Sequence, residues 1–219
     1  MCVVVEDVVV ESVDGDVTLS SYDLLCPAEV TCDSVRLTVK GRLKEHILFW
    51  REELVAPQPV LSIIESGYVL PLKSEPPVWS QKNQPSAKLK SEFVQTSINE
   101  LLADGCVRQV EQKPHICSPL SVVESSSGKQ RLVVNLRYLN RFLWKQQFKY
   151  EDLRTAMLLF EQGDYMFSFD LKSGYHHVDV TEVHQKFLGI EWDGAYYVFT
   201  VLPLGCRLLA MFLRSCCVL

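Results

Sequence analysis

The sequence predicts a chain that mixes helices with antiparallel hairpins, and three observations support this fold class. Residues 42–55 and 88–104 carry apolar side chains at helical spacing. Residues 120–136 hold two apolar runs separated by a serine- and glycine-rich turn, which is typical of a hairpin. Asp193-Gly194 lies between two further apolar runs, the strongest short hairpin signal.

Size and composition are those of a globular protein. The chain has 219 residues, of which 47% are hydrophobic and 22% charged. No apolar run reaches the ~18 residues that span a bilayer. The start has early acids and no basic region, so no signal peptide is expected and an intracellular location, cytoplasm or nucleus, follows. The eight cysteines show no zinc spacing and are predicted to be free thiols without disulfides.

Charge divides the chain into an acidic head and a mildly basic body. The net charge is −5, but residues 1–35 hold eight acids and no Lys or Arg. The remainder therefore has 19 acids (27 − 8) and 22 bases, a net charge of +3. Residues 1–40 alternate Val with polar residues, which leaves two predictions open: weak strands or a disordered acidic arm.

The next segment, 41–87, is predicted to be one helix followed by a proline-rich wrapping segment. Leu43, Ile47, Trp50 and Leu54 form the apolar stripe of the helix. Six prolines in 56–87 exclude a long helix there and favour extended chain. Its apolar residues should be buried against the rest of the protein (Ile63, Ile64, Tyr68, Val69, Leu70 and Trp79).

Residues 88–104 are predicted to be a helix that ends at Asp104-Gly105, with Leu89 on its apolar stripe. The hairpin after it runs from Leu120 to Leu136 and carries Lys129 and Arg131 just past its turn. These cations have two interpretations. They bind an anion near the hairpin tip, or they are solvated charges that protect an edge strand from aggregation.

A further helix is predicted at 151–161, followed by a buried strand at 165–171 that ends in Asp170. A turn, Tyr175 and a second strand from His177 to Val180 come next, before the Asp193-Gly194 hairpin. Asp170 taken alone has two interpretations: it caps the turn after the strand, or it binds a metal ion. Leu202-Pro-Leu-Gly205 closes this part, and residues 206–219 show no clear pattern.

Three sequence motifs, in order, resemble the fingers and first half of the palm of a retroelement reverse transcriptase. They are Gly128-Lys-Gln-Arg-Leu-Val-Val-Asn-Leu-Arg-Tyr-Leu-Asn140, Phe169-Asp-Leu-Lys-Ser-Gly-Tyr-His-His-Val178 and Leu202-Pro-Leu-Gly205. With Gly67-Tyr-Val-Leu-Pro71 ahead of them, they most resemble the DIRS-like tyrosine-recombinase retrotransposons. The implied fold is α+β, with a mixed fingers subdomain and an incomplete antiparallel palm sheet that has helices on one face. The fingers and partial palm would occupy 88–205.

The resemblance implies a role for individual residues. Asp170 would be the catalytic residue and would bind two Mg²⁺ or Mn²⁺ ions about 4 Å apart, helped by the main-chain carbonyl of Leu171. The residues that would contact the dNTP are Arg131, Lys129, Tyr175 and Gly205. Tyr175 would lie under the sugar and exclude a 2′-hydroxyl, although an ordinary core aromatic is the alternative interpretation. The implied partners are an RNA or DNA primer–template and a dNTP.

Two features depart from this family's pattern. No adjacent Asp-Asp pair occurs in the chain, so the second metal-binding motif is missing, and the thumb is missing too. Codons can be chosen for 206–219 that, read one base earlier, encode the expected continuation, so this aberrant tail is predicted to be frame-shifted. Two hypotheses follow: a truncated, inactive fragment of an RNA-directed DNA polymerase, or a non-enzymatic remnant that binds nucleic acid or a partner chain.

Overall fold

A computed structural model describes residues 9–11, 39–144, 166–168 and 174–206. The chain divides into two compact units. The first combines 1–37 with 149–172, and the second combines 38–148 with 173–219. The predicted helix at 151–161 lies outside the described residues, as do Asp170, Leu171 and the tail beyond Cys206.

The described part of the first unit is a two-stranded antiparallel sheet. Strand β1 (Val9–Glu11) pairs with strand β7 (Met166–Ser168), with Val10 opposite Phe167. Weak strands were one of the two predictions for residues 1–40, and Val9–Glu11 of that segment form a strand. Strand β7 lies within the predicted strand at 165–171.

The second unit begins with two short helices where one was predicted. Helix α1 (Arg42–Glu45) ends at His46, whose φ of −105° and ψ of 23° interrupt the helix, and α2 (Ile47–Glu52) follows. The predicted apolar stripe nevertheless faces the core: Trp50 is buried, and the other three side chains pack against the core. The prediction of the apolar stripe is therefore confirmed, whereas the prediction of one continuous helix was wrong.

The proline-rich segment is not extended throughout, which corrects the prediction. Helix α3 (Gln58–Ser66) begins directly after Pro57, with Pro59 in its first turn. Proline fits this position because the first N–H groups of a helix have no intrahelical partner. Gly67, at a φ of +84°, ends the helix.

Beyond Gly67 the segment is held against the rest of the second unit by backbone hydrogen bonds. The Tyr68 N–H donates to Asp179 O at 2.7 Å, and the Thr181 N–H donates to Tyr68 O at 3.1 Å. The Leu70 N–H donates to Nδ1 of His184 at 2.9 Å. Val69 is 59% exposed, so the prediction that it is buried was wrong.

The helical stripe predicted at 88–104 is split between two helices, α4 (Pro85–Leu89) and α5 (Ser91–Ala103). Leu89 is 84% exposed because the chain turns at Lys90, so its place on the stripe was wrong. Val94 and Ile98 are fully buried. The end of the helix was predicted correctly, since Asp104 caps α5.

Five short strands form a mixed sheet at the centre of the second unit: β2 (Trp79–Ser80), β3 (Val107–Val110), β4 (Ile116–Cys117), β8 (Gly189–Trp192) and β9 (Ala195–Phe199). Their order across the sheet is β2-β4-β8-β9-β3. Strands β2, β4 and β8 are parallel neighbours, whereas β8-β9 and β9-β3 are antiparallel. The turn between β8 and β9 has positive φ at Asp193 (49°) and Gly194 (76°), as an Asp-Gly hairpin requires.

The close approach of β4 to β8 requires a glycine. Gly189 is buried beside Pro114 and Ile116, and a Cβ built on it would lie 2.3 Å from Pro114 Cβ and 2.5 Å from Ile116 O. Asn83 joins the neighbouring elements: its Nδ2 donates to Glu191 O at 2.8 Å, and its Oδ1 accepts from the Leu120 N–H at 2.8 Å.

The predicted cation-bearing hairpin is present as β5 (Leu120–Glu124) and β6 (Gln130–Val134). Helix α6 (Leu139–Phe142) follows it. The second strand predicted from His177 to Val180 is wrong at its start, because Gly174–His177 form a 3-10 helix. Only isolated bridges involve Asp179 and Val180, and helix α7 (Glu182–Gln185) comes next.

Candidate active site

Asp170, the predicted metal-binding residue, lies outside the described residues together with Leu171. Its nearest described neighbour in the chain is Ser168, the last residue of β7, which pairs with Val9 of β1. The geometry around Asp170 therefore stays a prediction.

Tyr175 lies in the 3-10 helix that follows Gly174. Its ring is half-buried and packs against the hydrophobic core of the second unit. The Tyr175 carbonyl accepts a hydrogen bond from the Val178 N–H at 3.4 Å. The tyrosine thus has both a core contact, as the alternative interpretation expected, and an exposed portion that a ligand could reach.

The Leu202–Gly205 motif packs beside this turn. The buried Leu202 donates its N–H to Val178 O at 3.0 Å. Gly205 is exposed and has a φ of +96°, a conformation that favours glycine. Its carbonyl accepts a hydrogen bond from Nδ2 of Asn140 at 3.1 Å.

Three motifs that are far apart in sequence therefore meet. Val178 joins the Tyr175 turn to Leu202, and Asn140 joins the end of the fingers motif to Gly205 across 65 residues. The ideal Cβ position of Gly205 also lies 3.9 Å from Val134 O, at the base of the cation-bearing hairpin. The sequence identified the three motifs and their order, but it did not predict these contacts between them.

Lys129 and Arg131 project from that hairpin. Both side chains are exposed, and neither forms an ion pair with another described residue. The tip is closed by hydrogen bonds from Ser125 N to Lys129 O (3.0 Å) and from Lys129 N to Ser125 Oγ (3.2 Å). Leu132 and Val134 pack against the core, so alternation along β6 places Arg131 on the other face.

A polar cluster that the sequence did not predict includes Lys40, His176 and Asp179. Lys40 Nζ donates to Gly105 O at 3.1 Å. Burial raises the pKa of Asp179, while Lys40 and Lys44 act in the opposite direction. Burial lowers the pKa of His176, which Asp104 partly opposes. In the sequence, Asp179 stands out only as the end of the His176-His177-Val178-Asp179 run. Nothing in the sequence indicates that this carboxylate lies near Lys40.

A titratable contact also holds the wrapping segment. Nδ1 of His184 accepts the Leu70 N–H and so carries no proton on that nitrogen. Burial lowers the pKa of His184, and the nearby Lys186 lowers it further.

The described residues contain no group of three or more His, Cys, Asp or Glu side chains that could hold a metal ion. His115 lies between Cys106 and Cys117 in sequence, but its Nε2 lies 2.6 Å from Pro76 O. Cys106 and Cys117 are buried and form no disulfide with another described residue. Burial raises the pKa of Cys106 and that of Cys117 to about 11.

A wide, open groove of about 1000 Å³ lies elsewhere on the second unit, between α5 and the β8–β9 turn. Its charged lining residues are balanced in sign: Lys82, Lys88 and Lys113 against Glu92, Glu191 and Asp193. A phosphate-binding surface needs an excess of cations, so this groove is not the candidate site.

Comparison with known proteins finds retrovirus-related Pol polyproteins among the curated relatives and a protease-reverse transcriptase among the solved structures. No family model matches the chain. The Retrovirus-related Pol polyprotein from transposon gypsy of Drosophila melanogaster is 28% identical over 137 residues, 60% of this chain and 13% of the relative. The corresponding polyprotein from transposon 412 of the same organism is 27% identical over 145 residues, 64% of this chain and 12% of the relative. The chain thus spans about one eighth of these relatives.

Among solved structures, the Prototype Foamy Virus Protease-Reverse Transcriptase CSH mutant matches with a TM-score of 0.53. It is 21% identical, and the match covers 80% of this chain and 24% of that one. This likeness confirms the predicted α+β fold, that of a reverse-transcriptase fingers and palm fragment. None of the helices within the described ranges is long and apolar enough to cross a membrane.

Proposed function

We propose that this chain is the fingers and partial palm of a reverse transcriptase from a DIRS-like retrotransposon. The observation that carries the proposal is the meeting of the three motifs in the second unit, where Asn140 bonds Gly205 and Leu202 bonds Val178. Pol polyproteins among the relatives support the same assignment.

In this proposal the exposed hairpin binds the phosphates of the nucleotide. The guanidinium of Arg131 offers a planar fork that suits phosphate oxygens, and Lys129 adds a second positive charge. Tyr175 presents the exposed part of its ring to the sugar. Gly205 lets the backbone approach the nucleotide, because no side chain occupies its exposed position.

The metal site is incomplete in these 219 residues. A two-metal mechanism needs several oxygen ligands to hold Mg²⁺ or Mn²⁺, and the chain offers Asp170 with the Leu171 carbonyl but no adjacent Asp-Asp pair. The described residues add no further ligand set. We therefore propose that this chain by itself binds a primer–template and does not extend it.

The second candidate is a non-enzymatic protein that binds nucleic acid or a partner chain. Two observations favour this candidate: the chain has no adjacent Asp-Asp pair, and the hairpin carries two exposed cations, Lys129 and Arg131. Primer extension separates both candidates from a working polymerase, because neither of them lengthens the primer.

The test combines primer extension with a gel-shift assay, in Mg²⁺ and in Mn²⁺. We expect a salt-dependent shift of labelled primer–template without extension. Arg131→Ala should weaken binding and lower the salt dependence by about one phosphate contact. The matched control is Arg51→Ala, which removes the same charge from α2 and should leave binding unchanged. Extension that Asp170→Asn abolishes would overturn the inactivity, and no shift at low salt would overturn the proposal itself.

A further inference from the structure

An exposed tryptophan, Trp144, lies just after α6 in the second unit. It is 58% exposed, whereas the other three tryptophans of the chain are buried or half-buried: Trp50, Trp79 and Trp192. A single exposed apolar side chain is ordinary by itself, so the surroundings of Trp144 decide what it can do.

The backbone on which Trp144 stands is paired with the wrapping segment. The Trp144 N–H donates to Pro71 O at 3.0 Å, and the Lys73 N–H donates to Phe142 O at 2.8 Å. An antiparallel bridge lies between these two hydrogen bonds. The ring is therefore presented on a fixed backbone, and less freedom is lost when a ligand binds to it.

The surroundings of Trp144 are cationic. Nζ of Lys73 lies 5.8 Å from the centroid of the Trp144 ring, within the range of a cation–π interaction. Residues 125–144 contain no acid and four exposed cations: Lys129, Arg131, Arg137 and Arg141.

These charges are available to an anionic ligand. Lys73 and Arg141 are exposed, and neither forms an ion pair with another described residue. Glu75, two residues after Lys73, is already paired with Lys186 at 2.9 Å. This surface thus has one sign of charge, unlike the balanced groove beside α5.

We propose that Trp144, Lys73 and Arg141, here called the Trp144 platform, bind a single-stranded segment of nucleic acid. An unpaired base stacks on the indole ring, and the two cations contact the neighbouring phosphates, the combination that binds single strands without sequence preference. Bases inside a duplex are already stacked on one another and cannot use the ring. This inference rests on the proposed function, which brings a primer–template to this unit, and it assigns the unpaired template to the platform.

Two forms of one primer–template test the platform in the full chain: a blunt duplex and the same duplex with a single-stranded 5′ extension of the template. In fluorescence anisotropy at low salt, we expect the parent to bind the extended form about tenfold tighter, because one base stacks on the ring. Trp144→Ala should lose this gain and bind the blunt form like the parent. Trp144→Phe keeps an aromatic ring and should keep most of the gain. The control Leu48→Ala removes an equally exposed apolar side chain (59%) from α2 and should keep all of it.

Tryptophan fluorescence reports on the stacking itself. Saturating oligothymidylate should quench the fluorescence of the parent, because Trp144 is its most exposed tryptophan. Trp144→Phe should remove the quenching while the oligonucleotide still binds. Binding to the parent without quenching would contradict the stacking.

Salt dependence tests the two cations. Lys73→Gln and Arg141→Gln should each lower the slope of log affinity against log salt for oligothymidylate by about 0.7, the share of one phosphate contact on a single strand. Lys88→Gln removes the same charge from the balanced groove and should leave the slope unchanged. Unchanged slopes in both platform variants would mean that these cations do not contact the phosphates.

The two forms of the primer–template also separate this inference from the proposed function. If the parent binds both forms equally, or if Trp144→Ala keeps the gain, the platform is wrong while the proposed function stands. If neither form binds at low salt, the proposed function fails and the platform fails with it.

Discussion

Replacing Gly189 by alanine tests whether the contact between β4 and β8 holds the central sheet together. The new Cβ would lie 2.3 Å from Pro114 Cβ and 2.5 Å from the carbonyl oxygen of Ile116. Contacts this short force a shift of the backbone, because one of them is to a backbone atom rather than to the end of a flexible side chain. Overpacking in a core costs about 1–3 kcal/mol, and we expect about 3 kcal/mol here.

Urea unfolding measures this loss, with the midpoint compared between parent and variant at an unchanged slope. In thermal unfolding the same loss corresponds to a fall in Tm of roughly 6–12 °C for a chain of this size. The control is Gly194→Ala, which has open space around its Cβ but a φ of +76°. It should lose only about 1 kcal/mol, from the left-handed backbone. A Gly189→Ala variant as stable as the parent would refute the packing of β8 against Pro114.

Three further predictions concern single contacts in the second unit. Asn83→Ala should lower the free energy of unfolding by about 3 kcal/mol, because it leaves the N–H of the buried Leu120 without its partner; urea unfolding measures this, and an unchanged midpoint would contradict it. His184 has a folded pKa below its ordinary 6.5, so the unfolded chain binds the proton more readily. The stability from its bond to Leu70 is therefore present above pH 6.5 and lost as the pH falls through the folded value. His184→Gln should flatten that part of the pH–stability profile, and an unchanged profile would count against the bond. Cys106, with a pKa of about 11, should resist iodoacetamide at pH 8 in the native chain and react after unfolding, as mass spectrometry can show; rapid native labelling would be the contrary result.

Local signals allowed the hairpins to be predicted from the sequence. Asp193-Gly194 specifies its own turn because both residues tolerate positive φ, and no distant contact is needed to choose it. The hairpin with Lys129 and Arg131 was equally local, since Gly128 at a φ of +79° turns the chain between two apolar runs. Both predictions depended on a few adjacent residues.

Helix boundaries were harder to predict, because the apolar pattern does not mark where a helix breaks. The stripe at 42–55 continues across His46 although the backbone there is not helical. The stripe at 88–104 included Leu89, yet the turn at Lys90 sends that side chain into solvent. The prolines of 56–87 were taken to exclude a long helix and to favour extended chain, whereas Pro57 and Pro59 stand where the nine-residue helix α3 begins.

The candidate site was predicted as a set of residues but not as an arrangement. The motifs identified Tyr175 and Gly205 from their neighbours in sequence. The bond that joins Asn140 to Gly205 spans 65 residues, and a single sequence carries no local sign of it. The hydrogen bond from Lys40 to Gly105 also spans 65 residues, and the sequence carries no local sign of it either.

The wrapping segment has a consequence for the order of folding. Its bonds from Leu70 to His184 and from Thr181 to Tyr68 join residues 114 and 113 positions apart. During synthesis at about 5–20 residues per second, the segment waits roughly 6–23 s for its partners to be synthesised. Tyr68 and Leu70, both buried in the finished fold, stay exposed for that time. The segment is therefore among the last parts to reach its place, and the nascent chain is most open to chaperones and to aggregation before α7 emerges.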